Sequence, residues 1–266
     1  MRRALIAGAC AVALGATVGF AQNLPWNNPG GPQGQATTSA GPAPKRDISG
    51  IWDAGGGGIG ARGMQTSPLT PAGEVVSRTH KSGDGLRQVP ADQINDPLST
   101  LADPGGFPRM LLFELRPFEV VQMPNKVLML YMFEKRWRTI WTDGRQLPAN
   151  PDPRWYGYSV GRWEDDYTFV VNSNGSDDRT WLDNGGSPHS SDLKVEERYH
   201  RVNANTLELT VTIDDPKIYT KPWLGRDKLK LTLLPSSTDL MEMIPSASEA
   251  AAVKSIYAAE AAAGKK

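Results

Sequence analysis

Residues 194–214 read KVEERYHRVNANTLELTVTID, and the second half of that stretch decides the fold class. Leu207, Leu209, Val211 and Ile213 alternate with Glu208, Thr210, Thr212 and Asp214. A period of two sends successive side chains to opposite faces, so this is a strand with one face buried. Asn203-Ala204-Asn205 is turn-like and folds Lys194–Val202 back onto Thr206–Asp214. Leu229, Leu231 and Leu233 alternate with Lys228, Lys230 and Thr232 in the same way, and Phe169-Val170-Val171 follows the turn residues Glu164-Asp165-Asp166. Upstream, Val127–Phe133 (VLMLYMF) is apolar on both faces, as a central strand would be, and Pro124-Asn125-Lys126 turns Phe118–Gln122 back into it. No helical period separates these runs, which favours an antiparallel meander over βαβ units.

The chain has 266 residues, room for one large all-β domain. Its 27 Gly and 21 Pro argue for many turns and few long helices. Ile48-Ser49-Gly50-Ile51-Trp52 resembles the strand that opens lipocalin-like barrels, where the Trp of Gly-x-Trp packs across the barrel floor. Closing the sheet also removes its exposed edges. The expected fold is therefore an all-β, lipocalin- or calycin-like antiparallel barrel over residues 48–245, with a β-sandwich as the alternative.

The two ends read differently. Met1-Arg2-Arg3 is a short positive run, and Ala4–Gly19 is apolar but too short to span a bilayer comfortably. Gly19-Phe20-Ala21 offers the small residues a signal peptidase reads, so residues 1–21 are expected to be a signal peptide cut after Ala21. Cys10 is the competing lipoprotein signal, but the apolar run continues past it. Cleavage would leave 27 basic against 29 acidic residues and no Cys, in the periplasm or outside the cell. Residues 22–47 carry no apolar period and read as a flexible Pro/Gly-rich linker. Residues 246–266 are Ala-rich and read as a C-terminal helix and tail, capped by Ser246 or Ser248 and ended by Gly264. Val253, Ile256 and Tyr257 form a thin stripe for docking it.

Balanced charge, 29 basic against 29 acidic, speaks against a nucleic-acid surface. A single Cys excludes both a disulfide framework and a thiolate zinc cluster. Two short motifs mislead. Gly58-Ile59-Gly60-Ala61-Arg62-Gly63 matches G-x-G-x-x-G, but Met64-Gln65-Thr66-Ser67-Pro68 follows where a dinucleotide site needs a helix. Gly157-Tyr158-Ser159-Val160-Gly161 matches the nucleophile elbow, with Asp183 and His189 downstream. Yet prolines precede it, a turn follows it, and the span from Ser159 to His189 is too short for an α/β-hydrolase.

The densest polar cluster is 177–201, DDRTWLDNGGSPHSSDLKVEERYHR. His189 is one of three histidines and the natural neutral-pH acid or base; Asp183 is its expected orienter. Val195, Glu197, Tyr199 and Arg201 share one strand face, so Glu197 is expected to point inward, with Arg138, Arg179 or Arg201 as its partner. A buried Glu–Arg pair also serves packing alone. Trp181, Tyr156, Tyr158 and Trp163 are expected at a pocket mouth. His80 and His200 show no metal-ligand spacing with His189, so no metal and no cofactor are expected.

Several runs resemble a large family of exported bacterial proteins common in acidobacteria and sphingomonads, most without an assigned activity. They are Asn95-Asp96-Pro97, Asp103–Arg109 (DPGGFPR), Trp137–Arg145 (WRTIWTDGR), Trp155–Glu164 (WYGYSVGRWE), Thr180–Asp183 (TWLD), Pro188-His189-Ser190 and Glu197-Arg198-Tyr199. Together they cover roughly residues 48–245. The cysteine pair usual in that family falls here at Ala102 and near Ile244-Pro245, so it is absent. The resemblance implies export and supplies no activity. The residues themselves point to a small-molecule pocket performing cofactor-free acid–base chemistry, as a lyase, hydratase or isomerase of a hydroxylated or aromatic compound. In that reading His189, Asp183 and Glu197 are catalytic, while Arg138, Arg179, Trp181, Tyr158 and Trp163 bind substrate. The alternatives are a non-catalytic carrier barrel and a structural envelope protein. The expected partner is a small molecule, with no nucleic acid and no transmembrane segment in the mature chain.

Overall fold

A computed structural model describes residues 41–58, 66–85, 87–113 and 115–263. The signal-peptide reading, most of the linker, Ile59–Gly63 of the G-x-G-x-x-G run and Gly264 lie outside the described residues.

Nine strands close into one barrel in chain order: β1 (Gly50–Asp53), β2 (Phe118–Met123), β3 (Lys126–Tyr131), β4 (Trp137–Trp141), β5 (Tyr158–Trp163), β6 (Thr168–Asn174), β7 (Lys194–Asn203), β8 (Thr206–Asp214) and β9 (Trp223–Leu233). The sandwich alternative falls. The all-antiparallel meander also needs one correction, because β4 and β5 are parallel, with Trp141 opposite Val160. Parity requires this. A closed ring needs an even number of direction reversals, and nine strands make nine junctions, so at least one must be parallel. The 142–157 connection carries the chain back to make it.

Alternation sets the core. On β8 the residues Leu207, Leu209, Val211 and Ile213 are fully buried; on β7, Val195, Glu197, Tyr199 and Arg201 share the inner face. β3 departs from its expected burial on both faces: Val127, Met129 and Tyr131 are buried, while Leu128 and Leu130 face outward and are half-covered. Gly161 faces inward on β5, where a Cβ would stand 2.4 Å from Phe169 Cζ and 2.8 Å from Ile140 Cγ2. Only glycine lets the walls approach so closely beside the parallel junction.

Trp52 closes the end of the barrel that carries the 203–205 hairpin. It is fully buried, donates Nε1–H to the Ile48 carbonyl at 2.9 Å, and lies 4.6 Å from the Arg201 guanidinium. Arg201 donates to the carbonyls of Asn203 and Ala204. The opposite end is plugged by residues 103–113 and Leu115, where Phe107, Met110, Leu111, Leu112 and Leu115 are buried. Arg226 holds this plug through the Leu111 and Leu112 carbonyls. Arg109 forks onto Asp96 at 2.8 and 2.6 Å.

The described residues include four helices: α1 (Pro71–Thr79), α2 (Pro97–Leu101), α4 (Ala247–Ala263) and, within the plug, the buried α3 (Arg109–Leu112). Only α4 was expected. α1 carried a start signal in Thr70-Pro71: the Thr70 hydroxyl accepts from Gly73 N at 3.0 Å and Pro71 needs no donor there. Asp96 caps α2 through Leu98 N in the same manner. Ser246 accepts from Glu249 N and caps α4, which lies against α2.

Candidate functional site

The sequence-predicted site residues separate into two buried networks and an exposed remainder. The first network lies inside the barrel. β4 and β7 both face inward at Arg138 and Glu197, whose side chains are 2 % and 0 % exposed. Arg138 donates from Nη2 to Glu197 Oε1 at 2.6 Å and Oε2 at 2.8 Å. Of the three expected arginine partners it is the one in place, since Arg201 serves the floor and Arg179 the surface. Tyr199 donates its hydroxyl to Glu197 Oε2 at 2.7 Å. The Tyr131 hydroxyl lies 3.3 Å from Met129 Sδ, and the Phe107 ring of the plug lies 4.2 Å from the Arg138 guanidinium, a cation–π distance.

Electrostatics in this cluster follow from burial. Desolvation, reinforced by Glu197, pushes both Tyr131 and Tyr199 well above the ordinary phenol value, so both stay protonated donors. Desolvation acts to lower the Arg138 pKa, but Glu197 and the two phenols outweigh it and raise it. Arg138 has five N–H groups, and its Nε and Nη1 are buried with no hydrogen-bond partner. Such donors are costly to leave unmatched.

The second network lies in the 177–190 loop around His189, which is 3 % exposed. Here the expected His189–Asp183 pairing is corrected. Asp183 accepts from Gly185 N at 2.9 Å, Ser187 N at 3.0 Å and the Ser187 hydroxyl at 2.7 Å, which ties its own turn together. An Asp two and four residues before backbone amides satisfies them first. His189 instead sets Nδ1 3.1 Å from the Ser190 carbonyl and Nε2 2.7 Å from the Thr180 hydroxyl. Thr180 donates to the Asp177 carbonyl at 2.9 Å. Among the described residues, no hydrogen bond or ion pair joins His189 or Asp183 to Arg138 and Glu197.

Three contacts around His189 call for three protons, whereas neutral imidazole and one hydroxyl bring two. Only imidazolium would fill them all. Burial works against it and lowers the His189 pKa, while Asp215, Asp178 and Asp177 pull upward less strongly. The half-buried His80 is lowered for the same reason. Both groups therefore protonate at lower pH in the folded chain than in the unfolded one. The stability tied to their neutral forms is present above the ordinary 6.5 and falls as pH drops through it. Urea unfolding between about pH 7.5 and 5.5 should lose stability with acid, and His189→Gln should flatten that slope by up to about 1.4 kcal/mol per pH unit. An unchanged slope would place the acid sensitivity elsewhere.

The remaining predicted residues do not form one pocket mouth. Trp181 is buried and stacks on His80 at 4.5 Å. Trp163 packs against Phe169 at 5.3 Å. Tyr158 faces outward beneath Arg154, and the exposed Arg179 pairs with Asp177 and lies over Trp155. Ser159, of the elbow-like motif, sits within β5 and meets the Ser173 hydroxyl at 2.8 Å. A groove of about 580 Å³ runs outside β6–β8 under Pro148, lined by Asn172, Asn174, Glu196 and Asp214, and contains none of the predicted site residues. Among the described residues, no group of three or more His, Cys, Asp or Glu is placed to hold a metal.

Sequence reasoning missed Tyr131, Thr180 and Asp215. Tyr131 was readable as an inward position on the β3 alternation. Asp215, which accepts from Ser190 N at 2.5 Å and the Ser190 hydroxyl at 2.8 Å, carried no local signal. No family model, curated protein or solved structure matches the chain.

Proposed function

We propose that the chain is an exported small-molecule-binding barrel whose interior Arg138 receives an anionic or carbonyl oxygen of the ligand. One observation carries this reading: Nε and Nη1 of a fully buried guanidinium have no protein acceptor, although Glu197 sits against Nη2. An oxygen acid fits this arrangement, because charge-assisted bonds to a guanidinium are strong and directional. Tyr131 and Phe107 beside it suit a ligand with an aromatic or hydroxylated body. The Met1–Ala21 segment supports export.

The test uses chain recovered from the periplasm, whose intact mass reports removal of residues 1–21. Thermal-shift and native mass measurements with aromatic and hydroxylated acids should show binding, and the matching amides and alcohols should bind less. Arg138→Met, checked for folding by circular dichroism, should weaken the acids about 10- to 100-fold, the worth of one or two hydrogen bonds to a charged group. Equal binding of acids and neutral isosteres, or unchanged binding by Arg138→Met, would remove Arg138 from the site.

A second reading is favoured by the Tyr199–Glu197 bond. A neutral phenol donating to a buried carboxylate is a proton-transfer pair, so the same site supports a cofactor-independent lyase or isomerase. Conversion of a bound acid to product, lost in Tyr199→Phe with binding retained, would establish that reading; binding without product would leave the carrier.

A further inference from the structure

The outer wall of the barrel is divided. Around β6–β9 its outward residues are mostly polar, as Asn172, Glu196, Thr212 and Lys230 illustrate, with Val170, Val202 and Leu224 scattered singly among them. Around β2–β5 they include Val121, Leu128, Leu130, Trp137, Trp141 and Val160. Strand register makes these contiguous: Val121 lies opposite Leu128, Leu130 opposite Trp137, and Trp141 opposite Val160. Trp137 is 64 % exposed, Met123 beside Lys126 at the other end of the face is 42 % exposed, and Val121, Leu128, Leu130, Trp141 and Val160 between them are half-buried. A strand apolar on both faces, as β3 is, belongs between two apolar layers, yet among the described residues only the inner layer is present. A contiguous, half-buried apolar face with an exposed tryptophan marks an interaction surface.

Charge selects the occupant. Lys126 and Arg145 lie over the Trp141 ring at 5.6 and 3.7 Å, and Arg162 is exposed on β5 beside Val160. Their acidic neighbours are Glu119, Asp143 and Glu164, of which Asp143 is already paired with Arg145 and Glu164 with Arg198. A second copy laid on this face would bring cation against cation. A bilayer with anionic headgroups offers apolar depth for the tryptophans and opposite charge for the rim. We infer that the β2–β5 wall docks on a membrane surface of anionic lipid, lying against it without crossing it. This surface is separate from the Arg138 site and stands without it.

The test is flotation of the purified chain with vesicles of phosphatidylcholine alone and of equimolar phosphatidylcholine and phosphatidylglycerol, at low and high salt. The chain should float with the anionic vesicles and detach in high salt. Leu130→Ser with Trp137→Ser should lower partitioning about ten-fold or more by removing the apolar contact. Lys126→Gln and Arg145→Gln should each lower it about five-fold, and Lys230→Gln on the polar half should leave it unchanged. Circular dichroism checks that each variant folds. Failure of the wild-type chain to float with anionic vesicles, or equal flotation of the Leu130/Trp137 variant, overturns the inference. So does a dimer in sedimentation velocity that Trp137→Ser converts to monomer, since that makes a second copy the occupant.

Discussion

Glu197→Ala should lower unfolding free energy by about 3–5 kcal/mol, the cost of leaving a buried charge uncompensated. Glu197 is fully buried, so its loss strands Nη2 of Arg138 beside two nitrogens that already lack partners, and also removes the acceptor of Tyr199. Urea titration should show a lower midpoint with an unchanged slope, because the surface exposed on unfolding is the same. Glu197→Gln should lose much of the same stability, since it keeps the shape but not the charge. The double variant Arg138→Met with Glu197→Leu should recover most of it, because well-packed apolar residues commonly match a buried ion pair. A loss below about 1 kcal/mol in Glu197→Ala would mean the pair is solvated, as surface pairs are.

Trp52→Ala should cost a comparable 3–5 kcal/mol, for a different reason. The largest side chain of the floor disappears, leaving a cavity that rigid strands cannot fill. The Ile48 carbonyl also loses its indole donor and Arg201 its aromatic partner. Trp52→Phe keeps most of the volume and should cost distinctly less. Equal losses in the two variants, measured by the same urea titration, would assign the effect to the indole N–H and not to packing.

The barrel was legible because its strands alternate, and the residues that alternate most strictly, on β7 and β8, are buried where the pattern places them. Glu197 was readable as inward for the same reason: it shares a period of two with Val195 and Tyr199. Its partner was less so, since pairing β4 with β7 across the interior depends on closure and not on local sequence. The histidine site misled because sequence proximity was taken for contact. Asp183 lies six residues before His189, but a short carboxylate finds backbone amides within its own turn before it reaches a ring. The helices α1 to α3 are too short for a hydrophobic period; the caps Thr70 and Asp96 announce α1 and α2, and α3 has no side-chain cap.

The parallel junction sets how the wall can part. Seven of the other junctions are ladders of three to nine register pairs and the β1–β9 closure has two, whereas β4 and β5 meet through Trp141 and Val160 alone. In hydrogen bonds the barrel is two meanders, residues 50–141 and 158–233, closed along two seams. The β4–β5 seam is the thinner, and separating it breaks the fewest ladder bonds. Arg138 stands on one lip of that seam and Gly161 on the other. The path of least resistance through the wall therefore opens beside the guanidinium whose Nε and Nη1 have no hydrogen-bond partner, and lies within the same apolar face that we assign to the membrane.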